Sequence, residues 1–257
     1  MTLMSEETEV FGAAPGQRCA VLFLARWRTP GPGDAGRSAR AVTEQLAVLR
    51  AQGWLLSVDG ILAGHGHRAP DTPFVDTLTV DPPFVDTPTV YETGFSHDVD
   101  FVGMFEAPTA SDALNGTLAL ERAGWARLLR TEWLIGPKEF LPVVGPASRP
   151  EEDDWGFFAL WKWNSAWQAA TAQERRAYDL ECDTAFSSDV RDGAAIAGRY
   201  RLDSASQWDH VGVWRVPSVA MVQTAMREHT RVADFRFTTS RHYIGRRTAL
   251  GDAFRRK

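Results

Sequence analysis

Apolar and polar positions alternate along this chain in a way that sets out short strands and amphipathic helices. Residues 20–27 form an almost unbroken apolar run, which predicts a buried strand. Through residues 38–53, Val42, Leu46 and Leu49 recur at helical spacing. Residues 55–62 read as a second strand and 99–107 as a third, followed by a helix over 111–129 that Ser111 and Asp112 open and a closing strand over 132–135. The same order returns downstream as strand 155–163, helix 166–189, strands 195–202 and 210–216, helix 219–232 and strand 240–244. Each half reads βαββαβ, the ferredoxin-like unit.

The halves also align residue by residue. Asp-Phe-Val-Gly-Met-Phe-Glu-Ala-Pro at 100–108 reads against Asp-His-Val-Gly-Val-Trp-Arg-Val-Pro at 209–217, an offset of 109. That offset also pairs Tyr91 with Tyr200, Arg127 with Arg236, Ile135 with Ile244 and Gly136 with Gly245. Upstream, Val21-Leu-Phe-Leu-Ala-Arg-Trp27 resembles Phe157-Phe-Ala-Leu-Trp-Lys-Trp163 at an offset of 136. The difference of 27 residues predicts an insertion in the first copy, placed at about 64–90, where Pro-Phe-Val-Asp-Thr occurs at both 73–77 and 83–87. The organisation is a first repeat over 1–141, a proline-rich and acidic linker over 142–154 and a second repeat over 155–257. Because 155–163 is apolar on both faces, the expected fold is α+β: two tandem ferredoxin-like repeats whose antiparallel sheets meet as a pseudo-symmetric α/β barrel, helices outside.

Composition narrows the function classes. With 24% charged and 44% hydrophobic residues the chain is globular, and a net charge of −5 makes it a poor nucleic-acid binder. There is no apolar run of membrane-helix length and the first residues lack the pattern of a secretion signal, so a cytoplasmic protein without membrane contact is expected. Two cysteines exclude a disulfide scaffold. Absence of a Gly-rich phosphate loop, a Gly-x-Ser-x-Gly elbow and a Cys-x-x-Cys pair removes nucleotide-dependent transfer and serine hydrolysis from the leading ideas.

Candidate chemistry gathers in the second half. His210 replaces Phe101 and His242 replaces Trp133 across the repeat, and each is a candidate base or ligand, with a hydrogen-bonded core histidine as the alternative. Trp155, Trp161, Trp163, Trp208 and Trp214 can wall a small-molecule pocket or fill a core. Arg199 and Arg201 share one face of a strand, as an anion clamp or as an edge pair matched to Asp203 or Asp192. His229 lies in a polar run and is expected to be exposed. Gly64-His-Gly-His-Arg68 reads as a turn rather than a metal site, and the basic stretch 245–257 as a solvated end.

Two segments resemble the chlorite dismutase-like heme proteins, tandem members of the dimeric α/β barrel superfamily. Tyr91-Glu-Thr-Gly-Phe-Ser-His-Asp-Val-Asp-Phe101 is similar to the hairpin that closes the first sheet there. Residues 163–182, Trp163-Asn-Ser-Ala-Trp and on through Glu174-Arg175 to Cys182, are similar to the second-repeat helix. The resemblance implies that this helix delivers a histidine to heme iron, and Cys182 stands at that position, facing inward with Tyr178, Ala185 and Phe186. A cysteine binds iron as thiolate; otherwise it is a small core hydrophobe. The resemblance also implies that Arg199 or Arg201 overhangs the iron. The expectation is a small-molecule enzyme, oxidoreductase or lyase, doing oxidative or dehydrative chemistry among Tyr178, Trp161, Trp163 and Trp214, with heme on Cys182, and assembling as a homo-oligomer. Its rivals are a cofactor-free monooxygenase- or cyclase-like enzyme of secondary metabolism and a non-catalytic ligand-binding barrel.

Overall fold

Runs rich in Val, Phe, Ile and Trp become strands whose alternate residues face two different cores. The computed structural model describes residues 13–14, 16–28, 34–65, 87–94, 98–140, 143–144, 155–202, 206–232 and 234–255. The strands are β1 (Cys19–Trp27), β2 (Thr89–Glu92), β3 (Phe101–Ala107), β4 (Leu129–Phe140), β5 (Val143–Val144), β6 (Trp155–Trp163), β7 (Ala195–Arg201), β8 (His210–Val216) and β9 (Thr238–Ala249). All pair antiparallel, in the order β4-β1-β3-β2-β9-β6-β8-β7-β5. β4 also pairs with β7, Lys138 opposite Tyr200 and Phe140 opposite Arg199, so the ladder that leaves β4 through β1 returns to it. β3 and β8, and β4 and β9, have the same bounds at the 109 offset, as β1 and β6 do at 136.

Helices begin where side chains satisfy the first free N–H groups. Thr109 accepts from the Asp112 N–H at the start of α3 (Ala110–Leu120), and Ser218 from the Met221 N–H at the start of α7 (Val219–Arg231). Thr171 and Glu174 form a capping box on α6 (Ala172–Arg191), just after α5 (Ser165–Ala169). α1 (Asp34–Ala51) packs beside α3. No helix among the described residues is long and apolar enough to cross a membrane.

One strand face joins the two halves. Leu22, Leu24, Val102, Met104 and Leu134 from the first form a single buried cluster with Phe158, Leu160, Tyr200, Val211 and Val213 from the second. Each such side chain contributes roughly 1.5–3 kcal/mol of burial, so this shared core holds the halves as one body. The opposite face carries separate clusters under the helices: Phe23, Phe105 and Trp125 in the first half, Phe157, Trp214 and Val222 in the second.

Several sequence expectations need correction. Residues 55–62 are not a strand: Leu55 makes one isolated bridge to Glu106, and the chain then forms α2 (Val58–His65). Val58, Ile61 and Leu62 have the spacing of a helix face, and the Ser57 hydroxyl accepts from the Gly60 N–H. The strand that corresponds to β7 at the 109 offset is β2. The helix over 111–129 is interrupted by a π-helical turn, Glu121–Trp125, in which Gly124 has φ 124°, before α4 (Ala126–Leu128). Residues 245–255 of the stretch expected as a solvated end are folded, since β9 continues to Ala249 and α9 (Leu250–Arg255) buries Leu250 and Ala253 in the first half's helix-side core. Val143–Val144, expected as linker, pairs with β7. The duplicated Pro-Phe-Val-Asp-Thr stretch except its last residue, Thr87, together with His67, Asp203 and residues 145–154, lies outside the described residues.

Candidate functional site

The two halves share a plan but not a filling. In the first, Phe23 lies over Gly103, so close that a Cβ there would meet the ring at 2.2 Å, and Phe23 packs on Trp125 and Trp133 at 5.2 and 5.4 Å. Phe23 is fully buried. The corresponding pair in the second half is Ala159 and Gly212, directly opposite each other on β6 and β8. A Cβ on Gly212 would meet only Trp214 Nε1, at 3.4 Å, and both residues are half-buried. Ala159 thus brings no ring over Gly212 as Phe23 does over Gly103.

This floor is one row of the sheet. His242 on β9 pairs with Ala159, Ala159 with Gly212, and Gly212 with Arg199 on β7. The next row in one direction is Trp161, His210 and Arg201; in the other it is Phe157, Trp214 and Ile196. His210 lies flat on Trp161, and Phe157 meets Trp214 edge to face at 5.3 Å. A groove of about 810 Å³ runs between α7 and β9, lined by Val222, Met226, Ile244, Phe157 and His242, so it shares His242 with the floor and Phe157 with the row beside it. Burial holds the His242 imidazole below its usual pKa, with the Asp234 charge pulling the other way, and the ring is neutral near pH 7.

Glu139 is supplied by the first half. One of its oxygens, Oε2, lies 3.3 Å from His210 Nε2 and accepts from Arg199 Nε at 3.1 Å. Burial works to raise the Glu139 carboxyl, but the His210 hydrogen bond and the charges of His210 and Arg199 outweigh it and hold the pKa below the carboxylate norm. An ionised carboxylate can only accept, so whenever the ring is neutral its proton sits on Nε2 and Nδ1 is the acceptor. Nδ1 is buried and has no partner among the described residues. The partner of Arg199 is thus Glu139, not Asp192. Sequence reasoning missed Glu139; the signal available was that the offset pairs it with Thr248, so the acid is present in one copy only.

The helix layer above the second sheet is polar where its counterpart is apolar. α1 and α6 are followed by Gly53 and Gly193, both with positive φ and each against a proline, Pro108 or Pro217. Counting back from these glycines matches Leu49 with Asp189, Val42 with Cys182 and Ser38 with Tyr178, while the 109 offset matches Leu120 with His229 and Trp125 with Asp234. His229 was expected to be exposed; it is 2% exposed, between Asp189 at 3.0 Å and Asp234 at 3.1 Å. The Tyr178 hydroxyl donates to Asp234, which is the first residue of α8 (Asp234–Phe237). An isolated histidine in a run of charged residues gives no hint of a carboxylate 40 positions away, Asp189.

The residues present do not fit heme held through Cys182. That side chain packs in a cluster with Tyr178, Ala185, Val232 and Phe237, against Trp163 and Trp167. Burial, opposed by the Tyr178 hydrogen bond, pushes the thiol up to about 12, far from the thiolate that iron requires. Both ring nitrogens of His229 are committed to carboxylates, and among the described residues no three His, Cys, Asp or Glu side chains converge as a metal site. Trp163 stacks on Trp167 at 3.9 Å and meets Trp161 at 4.9 Å, so the expected tryptophans divide: Trp161 and Trp214 flank the floor and Trp163 belongs to the Cys182 cluster. Phe186, expected on the buried face, is 36% exposed and touches Trp214 and His229.

No family model and no curated protein sequence matches this chain. Solved structures do. Two variants of chlorite dismutase from Candidatus Nitrospira defluvii superpose with TM-scores of 0.66 and 0.65 at 12% and 13% identity, covering 95% and 93% of this chain and 96% and 94% of theirs. The same protein in complex with imidazole gives 0.64 at 12% identity, over 95% of this chain and 96% of that one. A chlorite dismutase candidate, TA0507, gives 0.60 at 8% identity, over 93% of this chain and 98% of that one. This chain has the chlorite dismutase-like fold.

Proposed function

We propose that this chain is a small-molecule enzyme built of two ferredoxin-like repeats closed as a barrel, with one site on the helix side of the second sheet, working by acid–base chemistry at His210. The ladder that returns from β7 to β4 and the matching strand bounds support the architecture. The observation that carries the function is the missing ring: Ala159 and Gly212 leave open what Phe23 fills over Gly103.

Around that floor stand the groups a proton transfer needs. His210 Nδ1 accepts a proton from an acidic C–H or O–H, and the Glu139 carboxylate steadies the imidazolium that results, as in other carboxylate-oriented histidines. The Trp161 face under the ring fixes its plane, with centroids 4.0 Å apart. Arg199 offers its positive charge to the oxyanion that forms as the proton leaves. His242, neutral and at the other end of the row, is placed to receive or return a proton. Such a set serves loss of water or ring closure in a substrate with a carbonyl beside its acidic position, the cofactor-free form of the lyase expectation.

A thermal-shift screen of small carbonyl compounds and aromatic acids, followed by turnover assays on the hits, tests this reading. Ala159→Phe restores the first-half residue and should fold, yet lose every hit that belongs to the site. His210→Gln should retain binding and lose turnover by at least 100-fold. Hits that bind Ala159→Phe as well as the native chain overturn the assignment.

A further inference from the structure

Resting on that reading, we infer the substrate class: a flat aromatic body carrying a carboxylate, bound with its ring on Ala159 and Gly212 and its carboxylate on Arg199. The floor crosses four strands, β9, β6, β8 and β7, and neighbouring strands lie about 4.8 Å apart, so it is roughly 14 Å from end to end. Its two middle positions project no more than a methyl group, which leaves a shallow, level bed rather than a round hole. Trp161 with His210 stands along one side and Phe157 with Trp214 along the other. Side walls of rings over a level bed suit a thin conjugated solute, because ring edges and faces attract another ring whereas a branched aliphatic body would need depth.

The ends of the bed differ in charge, which orients such a solute. His242 is neutral at one end. At the other, Arg199 uses Nε for Glu139, and its side chain is 48% exposed. Its two terminal amino groups have no hydrogen-bond partner among the described residues, so the outer fork of the guanidinium is available for two parallel bonds to a carboxylate. Glu139 does not repel that guest as a free anion would, because its Oε2 is shared between Arg199 and His210. With the carboxylate on Arg199, the ring positions nearest to it come beside His210, one row away on the neighbouring strand.

Titration with 2-naphthoate and its neutral analogue 2-naphthamide, followed by tryptophan fluorescence and calorimetry, tests the class. Naphthoate should bind the native chain at least tenfold more tightly than the amide. Arg199→Gln, a change at a half-exposed side chain, should remove that tenfold preference. Ala159→Phe should abolish binding of both while circular dichroism stays native. Naphthoate that fails to bind, or that binds Arg199→Gln unchanged, overturns the carboxylate class and leaves the site reading intact. Equal binding of both probes to the native and Ala159→Phe proteins overturns the site itself, and the class with it.

Discussion

His229 on α7 stands 3.0 Å from Asp189 on α6, imidazole Nε2 against carboxylate. Burial alone would lower the histidine's pKa; the hydrogen bonds to Asp189 and Asp234 outweigh it and raise the value to about 9. Folding therefore favours the imidazolium. The stabilisation is complete below the unfolded-chain value of 6.5 and fades as pH rises through about 9. Its size is on the order of 3 kcal/mol. Urea midpoints measured from pH 6 to 10 should fall across that window in the native chain and stay flatter in His229→Leu.

The same pair predicts a rescue. His229→Leu alone leaves the buried Asp189 without its cation, at a cost of roughly 3–5 kcal/mol. Adding Asp189→Leu rebuilds the Leu49–Leu120 arrangement of the first half and should recover at least half of that loss in a denaturant titration. A double variant no more stable than the single one would deny the equivalence of the two helix layers.

His210 should show one tautomer. With Glu139 ionised and 3.3 Å from Nε2, nitrogen NMR should find the proton on Nε2 and not on Nδ1. In Glu139→Gln the amide can donate as well as accept, and a mixture of tautomers should appear.

Both thiols should be silent in the native protein. Cys19 and Cys182 are buried, and burial is the largest influence that pushes each up to about 12. A disulfide reagent at pH 8 should label neither thiol in the native protein and both in denaturant. Hemin added to the native chain should give the same absorbance with and without Cys182→Ser, whereas a thiolate-ligated spectrum lost in that variant would restore Cys182 as a ligand.

Glu106 ties the halves together electrostatically. It is fully buried and accepts from Arg18 Nε at 2.5 Å, Lys138 Nζ at 2.8 Å and the Tyr200 hydroxyl at 2.7 Å, the last from the second half. Glu106→Ala should destabilise by roughly 3–5 kcal/mol, since it leaves the largely buried Lys138 ammonium unpaired. Tyr200→Phe should cost about 1–2 kcal/mol. Calorimetry should show a single transition in each variant, shifted by those amounts.

Much of the fold was legible because strand bounds recur at the offsets of 109 and 136. Aligned Phe101 and His210 give β3 and β8 the same bounds, and the apolar run on both faces of β6 carries the reason the sheets share a core. α2 was misread because Leu55 and Leu56 extend its apolar face into a run that looks strand-like, and because this helix has no counterpart in the second half. His210 and His242 were singled out as departures from symmetry, and Arg199 by its strand face with Arg201 and by the resemblance. Glu139 and the Asp189–His229–Asp234 chain were not, since each depends on contacts between residues far apart in sequence. The open floor was written in the substitution of Phe23 by Ala159, but a small residue in a strand carries no signal until the space above it is seen.

α9 has a consequence for how the molecule is made. Phe254 meets Trp27 at 6.1 Å and Trp125 at 6.3 Å, so the far end of the sequence closes the core that its beginning starts. A ribosome that has released β1 to β4 has delivered a first sheet with an unroofed aromatic patch, which stays open until residues 250–255 emerge. During that interval the nascent chain presents tryptophan surface to whatever chaperone is at hand, and a premature stop after β9 would leave that surface permanently uncovered.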